Sequence, residues 1–420
     1  MSVVNSFEFA NWFSLVGLDN LLNELNIAKR FNTDWSSEYE REFPVGATVN
    51  VPMPVRLSST RSFTYAPQPI EQRHTSITVD QQFSVAFEWN SVEQALDMPK
   101  GRERLEKMVI KPAMQRMAQD IESACAEYAY YNTPNVVGTL GTAPTSFDDV
   151  FGAARQRLTE LGGPGEGRTM HLHPSVSRKM SSLAVSYLNP PDAVSRLFKK
   201  GILGEVQGFE CFESMSLYEH TCGVWATPAS VVVYGSGQSG TSLVITASGA
   251  GDTFKKGDVI SIASVFPVNP MTGRKANAST TRQFVITEDL TAAGGAGADT
   301  LKIWPPIVGP GSPYANVDAL PVTNAIITLF PGTTTPSTGP QKGTQNLALC
   351  DDAFLLAGVK LMMPTNAEMA AQKRDPESGI SIAFIRDFDP IERKMINRFD
   401  CLLGFGRGHA DSSAIRVVGA

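Results

Sequence analysis

The sequence predicts an α+β chain in which a mixed body is interrupted by a smaller all-β unit. Three observations carry that expectation. Apolar residues recur with period two over 77–89 and with the helical period over 114–128, so strand and helix share one body. Between 229 and 345 only 13 of 117 residues are charged, about 11%, whereas the whole chain is 19% charged, and such a shift marks a boundary. The length of 420 residues calls for about two to four units at the usual ~100–200 residues each. A hydrophobic fraction of 42% supplies packed cores, and 35 Gly with 27 Pro supply many turns.

The N-terminal stretch, 1 to about 45, mixes apolar anchors (Phe7, Phe9, Trp12, Phe13, Leu18, Leu21, Leu22, Leu25) with polar residues. The spacing 18, 21, 22, 25 predicts a short amphipathic helix in an arm that needs another surface to cover it. Two strand patterns follow: Val49, Val51, Met53, Val55, then Ile77, Val79, Phe83, Val85, Phe87, Trp89, with Gln81 as a polar break. The polar stretch from Arg56 to Ser76 between them predicts a long projecting hairpin, a shape that serves contact with something else. Met114, Met117, Ala118, Ile121, Cys125 and Tyr128 then fall on one side of a helix that starts or kinks at Pro112, because proline lacks the amide donor an interior position needs. The methionines there read as core filler. A second helix is expected from Ser146 to Leu161, capped by Ser146 or Asp148 and closed by Gly162 and Gly163, before a short strand at 169–172.

Inside the low-charge block, six runs rich in Val, Ile, Thr and Phe (230–234, 242–247, 258–265, 283–287, 301–304, 325–329) are separated by Gly, Pro, Asn and Ser. Such spacing predicts a small antiparallel barrel or sandwich. Beyond it, 346–356 reads as strand and turn, 366–372 as one or two helical turns, and 380–384 as a strand. Residues 386–390 read as a turn, and the last segment contains Arg398, Asp400, Leu402 and Gly404.

Several function classes are disfavoured. A net charge of −6 is the wrong sign for a protein that coats DNA by neutralising phosphates. The five Cys are odd in number and never in CxxC spacing, which suggests neither a disulfide framework nor a zinc site, and they read as buried thiols of a reducing compartment. No basic, apolar targeting segment opens the chain, and no apolar run of about 18 residues occurs, so a soluble protein without membrane contact is expected. The loop Gly162–Gly167 lacks the Lys and Ser/Thr of a phosphate cradle and reads as a turn. His171 and His173 would share a strand face, compatible with two metal ligands, but nothing local supplies a third. No catalytic, cofactor-binding or metal-binding residue is assigned.

At the low-charge block the residues resemble a known family. The runs Lys256-Gly257-Asp258-Val259-Ile260-Ser261, Val268-Asn269-Pro270-Met271-Thr272-Gly273 and Arg282-Gln283-Phe284-Val285-Ile286-Thr287 resemble the insertion domain of podovirus-type coat proteins, the major capsid proteins of tailed double-stranded DNA phages. Similarity continues through 303–306, 346–348, 352–354, 379–382 and 398–404, about half the chain in all.

The resemblance implies the Hong Kong 97 type capsid fold. Its parts would be an N-terminal arm (1–45), an extended hairpin loop (46–90), a peripheral domain with a spine helix (91–145), an axial domain in two parts (146–228 and 346–379), an inserted β-barrel (229–345) and peripheral return strands (380–420). It also implies an insert that aids folding and reaches neighbouring capsomers. The motif residues carried over are Gly257, Asp258, Asn269, Pro270, Thr272, Gln283 and Phe284. The implied function is that of a shell subunit: pentamers and hexamers, made in the host cytoplasm with a scaffolding protein and a portal, ending in a virion that encloses double-stranded DNA without reading its sequence. Arm and hairpin residues Trp12, Phe13, Arg56, Arg61, Phe63, Tyr65 and Arg73 are the candidate contacts between subunits. Two other readings compete: a β-rich decoration or host-binding module, and a hydrolase using His171 and His173 with a metal.

Overall fold

The computed structural model describes residues 6–36, 48–57, 63, 67, 70–90, 106–140, 142, 144–187, 204–225, 231–247, 249–330, 342–376, 378–389, 391 and 394–418. The chain divides into two compact units, one of residues 1–52, 74–125 and 354–408, the other of 53–73, 126–353 and 409–420. The sequence-based divisions at 45/46, 90/91, 145/146, 228/229, 345/346 and 379/380 follow elements along the chain, a different criterion from these contact-based units. Contacts made across the chain decide the partition, and periodicity does not register them.

The first unit is built on a six-stranded antiparallel sheet. Its strands run Thr48–Pro52, His74–Asn90, Lys394–Arg407, Ser381–Asp389, Met369–Arg374, with Phe354–Val359 also pairing with Lys394–Arg407. The long strand alternates as its sequence predicts, odd positions from Ile77 to Phe87 turned inward and even positions exposed. Gln81, the polar break in that pattern, follows a β-bulge between Val79 and Gln81. An extra residue there lets the strand keep its apolar face on the sheet while it bends.

Helix α1 (Ser6–Glu24) is longer than its periodicity suggested, and Leu25 falls just beyond its end. Phe13, Leu18 and Leu21 are buried, and Phe13 stacks on Phe384 at 4.8 Å, which in turn packs on Phe399 at 5.0 Å. Helix α2 (Lys111–Tyr131) continues directly from a π-helical turn over Glu106–Ile110, and Pro112, which has no N–H to donate, stands at the passage from one to the other. The stripe Met114, Met117, Ala118, Ile121 and Cys125 is fully buried as predicted. Glu122, also buried, turns its carboxylate to the one-turn 3-10 helix Ala28–Arg30. Its oxygens accept the backbone N–H groups of Asn26 (3.0 Å), Ile27 (2.9 Å) and Ala28 (3.0 Å).

Residues 366–372 do not form helical turns. Met369–Arg374 is a strand paired with Ser381–Arg386, and 386–389 of the expected turn continue the strand Ser381–Asp389, Pro390 lying outside the described residues. Met, Ala and Gln favour helix intrinsically, but pairing to a neighbouring strand outweighs preferences of a few tenths of a kcal/mol per residue.

Among the described residues the second unit holds three sheets, the smallest a two-stranded pairing of Thr253–Phe254 with Leu290–Thr291. The seven-stranded sheet runs Val136–Gly138, Ala414–Val418, Lys342–Cys350, Arg168–Leu172, Phe209–Glu213, Glu205–Val206, with Glu219–Thr221 paired to Lys342–Cys350. Arg168–Leu172 and Phe209–Glu213 are parallel, and helix α4 (Pro174–Tyr187) lies between them in sequence, a βαβ crossover. Helix α3 (Ala153–Glu160) is the predicted second helix, entered through a π-turn over Asp148–Gly152. Ser146 and Asp149 cap it reciprocally: Ser146 Oγ accepts the Asp149 N–H and the Asp149 carboxylate accepts the Ser146 N–H. Val150, Phe151, Ala154, Leu158, Met170, Phe209, Ile415 and Val417 share the core beneath.

The low-charge block contributes a six-stranded antiparallel sheet in the order Ile327–Phe330, Val259–Ile262, Gln283–Ile286, Gly295–Ile307, Gly240–Ala247, Val232–Val233. Each of the six predicted runs contributes one strand. The two end strands also meet: Val233 N donates to Ala325 O (3.0 Å) and Ile327 N to Val231 O (2.9 Å). Leu243, Ile245, Ile260, Ile262, Phe284, Ile286, Leu301 and Ile303 fill the core, with Trp225 against Phe254 at 4.9 Å.

Candidate functional site: the seam of the β-rich segment

Local chain geometry brings Gly257 and Asp258 to a buried polar cluster. Tyr130 arrives from the last turn of α2, His220 from the short strand Glu219–Thr221, and Arg416 from the C-terminal strand. Asp258 stands one residue before its own strand, 1% exposed, and uses both carboxylate oxygens. Oδ1 faces His220 Nε2 at 2.7 Å, while Oδ2 accepts the N–H groups of Gly223 (3.1 Å) and Lys255 (2.8 Å). His220 Nδ1 hydrogen-bonds the Tyr130 hydroxyl. Arg416 donates from Nη1 to Gly257 O at 2.9 Å and lies over the Tyr130 ring, 4.7 Å from its centroid. Gly257 has φ +91°, a conformation that favours glycine, and any Cβ there would strike the Tyr130 hydroxyl.

The electrostatics follow from burial. Desolvation pushes the Tyr130 phenol and the neighbouring Cys222 thiol well up, and the Asp258 charge adds to both. Burial likewise pulls the Arg416 guanidinium down from its ordinary value, opposed by Tyr130 and Asp258. The pair of opposite charges, Asp258 and Arg416, is therefore held inside the protein by hydrogen bonds.

A second group of contacts fastens the same segment elsewhere. Gln283 is buried and pairs edge-on with the main chain of Val136, which donates to Oε1 (2.9 Å) and accepts from Nε2 (3.0 Å). The amide thus imitates a rung of β-sheet. Asn269 Oδ1 closes its own turn by accepting Met271 N (2.9 Å) and Thr272 N (3.2 Å), while Nδ2 donates to Glu160 O at 3.0 Å, a carbonyl left over at the end of α3. Pro270 packs at Gly162, where an added Cβ would come within 3.1 Å of it. Arg157 Nη2 donates to Thr281 O (3.0 Å), and burial first, then the Arg282 charge, lowers its pKa to about 10.

Six of the seven motif residues therefore lie at or beside this seam. Gly257, Asp258, Asn269 and Gln283 bond across it, Pro270 packs across it, and Thr272 shapes the turn. Phe284 alone is pure core. We expect Gln283→Leu to leave the Val136 N–H and C=O unpaired and to cost about 2 kcal/mol. Hydrogen exchange at the Val136 amide is the local readout, and unchanged protection there would count against the role given to Gln283.

The contact candidates divide differently. Phe13 is 1% exposed and stacked on Phe384, so it is a core residue of its own chain rather than a contact for another. Trp12 is half-buried and packs edge-to-face on Phe13 at 5.2 Å. Tyr314 meets the hairpin at three points: its hydroxyl accepts the backbone N–H of Arg56 (3.4 Å) and donates to Glu71 O (2.6 Å), and the Arg73 guanidinium sits 3.8 Å from its ring centroid. Phe63 is fully exposed. Arg61 and Tyr65 lie outside the described residues.

His171 and His173 do not form a joint site. His171 is buried in the sheet with its ring stacked on Phe212, and His173 caps α4, Nδ1 meeting Ser175 Oγ at 2.8 Å. Tyr130, His220, Arg416 and Glu122 were not singled out in the sequence. Arg416 left one signal, a charge inside the apolar run Ala414–Val418.

One unit thus carries a six-stranded antiparallel sheet, and the other a βαβ crossover with a β-rich segment. The model of the P22 coat protein family (P22 coat protein, gene protein 5) matches residues 18–408, and the chain belongs to that family. It is a major capsid protein of a tailed phage with a mixed helix and sheet capsid fold. Solved structures similar to it include a chain of Mycobacterium phage Che8 (11% identity, TM-score 0.46, covering 94% of this chain and 90% of that one). The capsid of Ralstonia phage GP4 is similar at 9% identity and TM-score 0.39, over 89% and 84%. A virus-like particle from Pyrococcus furiosus follows at 7% identity and TM-score 0.39, over 98% and 99%. No curated protein matches the sequence.

Proposed function

We propose that the chain assembles as pentamers and hexamers into an icosahedral shell around double-stranded DNA, with a scaffolding protein and a portal as assembly partners, and that it works without catalysis. The family match over residues 18–408 carries this reading. The net charge of −6 supports enclosure of DNA without tight neutralisation of its phosphates. The fully exposed Phe63 in the hairpin supports a contact whose apolar area is covered only by a neighbour.

Within this reading the β-rich segment is an inserted barrel that stabilises its host. The hydrogen bonds joining its end strands and the seam at Asp258 and Gln283 support that role. Assembly through many weak contacts lets misplaced subunits leave before the shell closes. Expression alone and together with a scaffolding protein tests the proposal. Sedimentation and electron microscopy should give closed particles of uniform size. A chain that stays monomeric in both settings would overturn it.

A further inference from the structure

We infer that His220, Cys222 and Asp258 form a binding site for one divalent, thiophilic cation of the Zn2+ class. One nitrogen, one sulfur and one oxygen donor lie within 4.8 Å of one another, and all three residues are buried. Imidazole, thiolate and carboxylate are the donor types that Zn2+ takes, and three protein ligands leave a fourth tetrahedral position for water.

What distinguishes the cluster from a chance grouping is the support behind each donor. If His220 ligates through Nε2, its Nδ1–H points at the Tyr130 hydroxyl, which fixes the tautomer and the ring plane. If Asp258 ligates through Oδ1, its Oδ2 stays fastened by the N–H groups of Gly223 and Lys255 at 3.1 and 2.8 Å. Cys222 stands two residues from His220, with Gly223 next to it binding that same carboxylate.

The His220 and Asp258 donors need little movement to share an ion. His220 Nε2 and Asp258 Oδ1 are 2.7 Å apart as hydrogen-bond partners. Two such ligands on a tetrahedral ion, each roughly 2.0–2.1 Å from it, would stand about 3.3 Å apart. The bond therefore opens by about half an ångström. Binding releases one proton, from the Cys222 thiol, and moves the imidazole proton from Nε2 to Nδ1, where the Tyr130 oxygen accepts it.

Charge sets a condition. Arg416 is a buried cation nearby, and the Asp258 charge is one of the influences that oppose the cost of burying it. A divalent ion therefore needs the Cys222 thiolate as well as the carboxylate, which restricts the site to ions that bind sulfur and disfavours Mg2+ and Ca2+.

The test uses the full chain, with Zn2+ or Co2+ added both to folded protein and during refolding, since the donors are buried. We expect one equivalent of Zn2+ retained after dialysis and a thiolate-to-Co2+ charge-transfer band in the near ultraviolet. Cys222→Ala should abolish the band and weaken retention by more than about 100-fold, beyond the range typical of lost outer-shell partners. Cys350→Ala, a buried thiol of a different core, should leave both unchanged. Circular dichroism establishes that each variant is folded. Folded wild-type protein without the band after both loading routes, or Cys222→Ala with metal undiminished, would overturn the assignment and leave a hydrogen-bonded network only.

Discussion

Asp258→Ala is expected to destabilise the protein by about 3–5 kcal/mol, measured in a chelating buffer so that no metal contributes. The substitution removes one carboxylate that serves three donors, His220 Nε2 and the N–H groups of Gly223 and Lys255. Each buried donor left without an acceptor costs about 1–3 kcal/mol, and the exposed side of Lys255 puts its amide at the low end. Arg416, buried at 1% exposure, would also lose the negative charge that compensates it. Asp258→Asn keeps one acceptor and should lose roughly half as much. Denaturant midpoints give the global effect, and exchange at the Gly223 amide reports the seam itself. An Asp258→Ala chain as stable as the wild type would remove the seam from any account of stability.

Glu122→Ala should cost a similar amount, about 3–5 kcal/mol, in the other unit. The carboxylate is the acceptor for three successive backbone donors, Asn26, Ile27 and Ala28, two of them buried. Desolvation is the largest influence on this carboxyl and raises its pKa above 4.5, although the three N–H groups and Lys29 oppose it. The sign of the pH dependence follows. Between the unfolded value and the raised folded value the native state binds more protons. Stability therefore falls as pH rises through that window and is level above it. Glu122→Gln cannot titrate, so the part of the slope due to this group should vanish. Comparing urea midpoints of the two proteins from pH 4 upward measures it, and identical slopes would show that Glu122 does not carry the dependence.

Periodicity exposed the elements of this fold well where burial is one-sided. The alternation from Ile77 to Phe87 and the stripe from Met114 to Cys125 each record one apolar face, and each became the element it predicted. It failed at 366–372, where helix-favouring residues are held in a strand by a partner that no local window contains. The seam was half legible. Its Gly-Asp, Asn-Pro and Gln-Phe pairs were marked by resemblance, but their partners were not, since Gln283 and Val136 are 147 positions apart and Asp258 and His220 are 38 apart. Glu122 looked like one more polar residue on a helix, and only the return of the chain at Asn26–Ala28 gives its charge a use. Phe13 misled for a related reason: an aromatic in an arm is ambiguous until the surface that covers it is known, and here Phe384 of the same chain covers it.

The Gln283 contact has a consequence for how such chains can change. Its two hydrogen bonds address the peptide group of Val136 and ignore the side chain, so they constrain backbone position alone. Asn269 does the same at the carbonyl of Glu160, and Arg157 at that of Thr281. At these three points the residue on the main-chain side can drift in identity, whereas Gln283, Asn269 and Arg157 themselves, and the side-chain pair Asp258 and His220, must be kept. The β-rich segment is to that extent a cassette, exchangeable between hosts of different sequence so long as the two backbones still meet at the same few points.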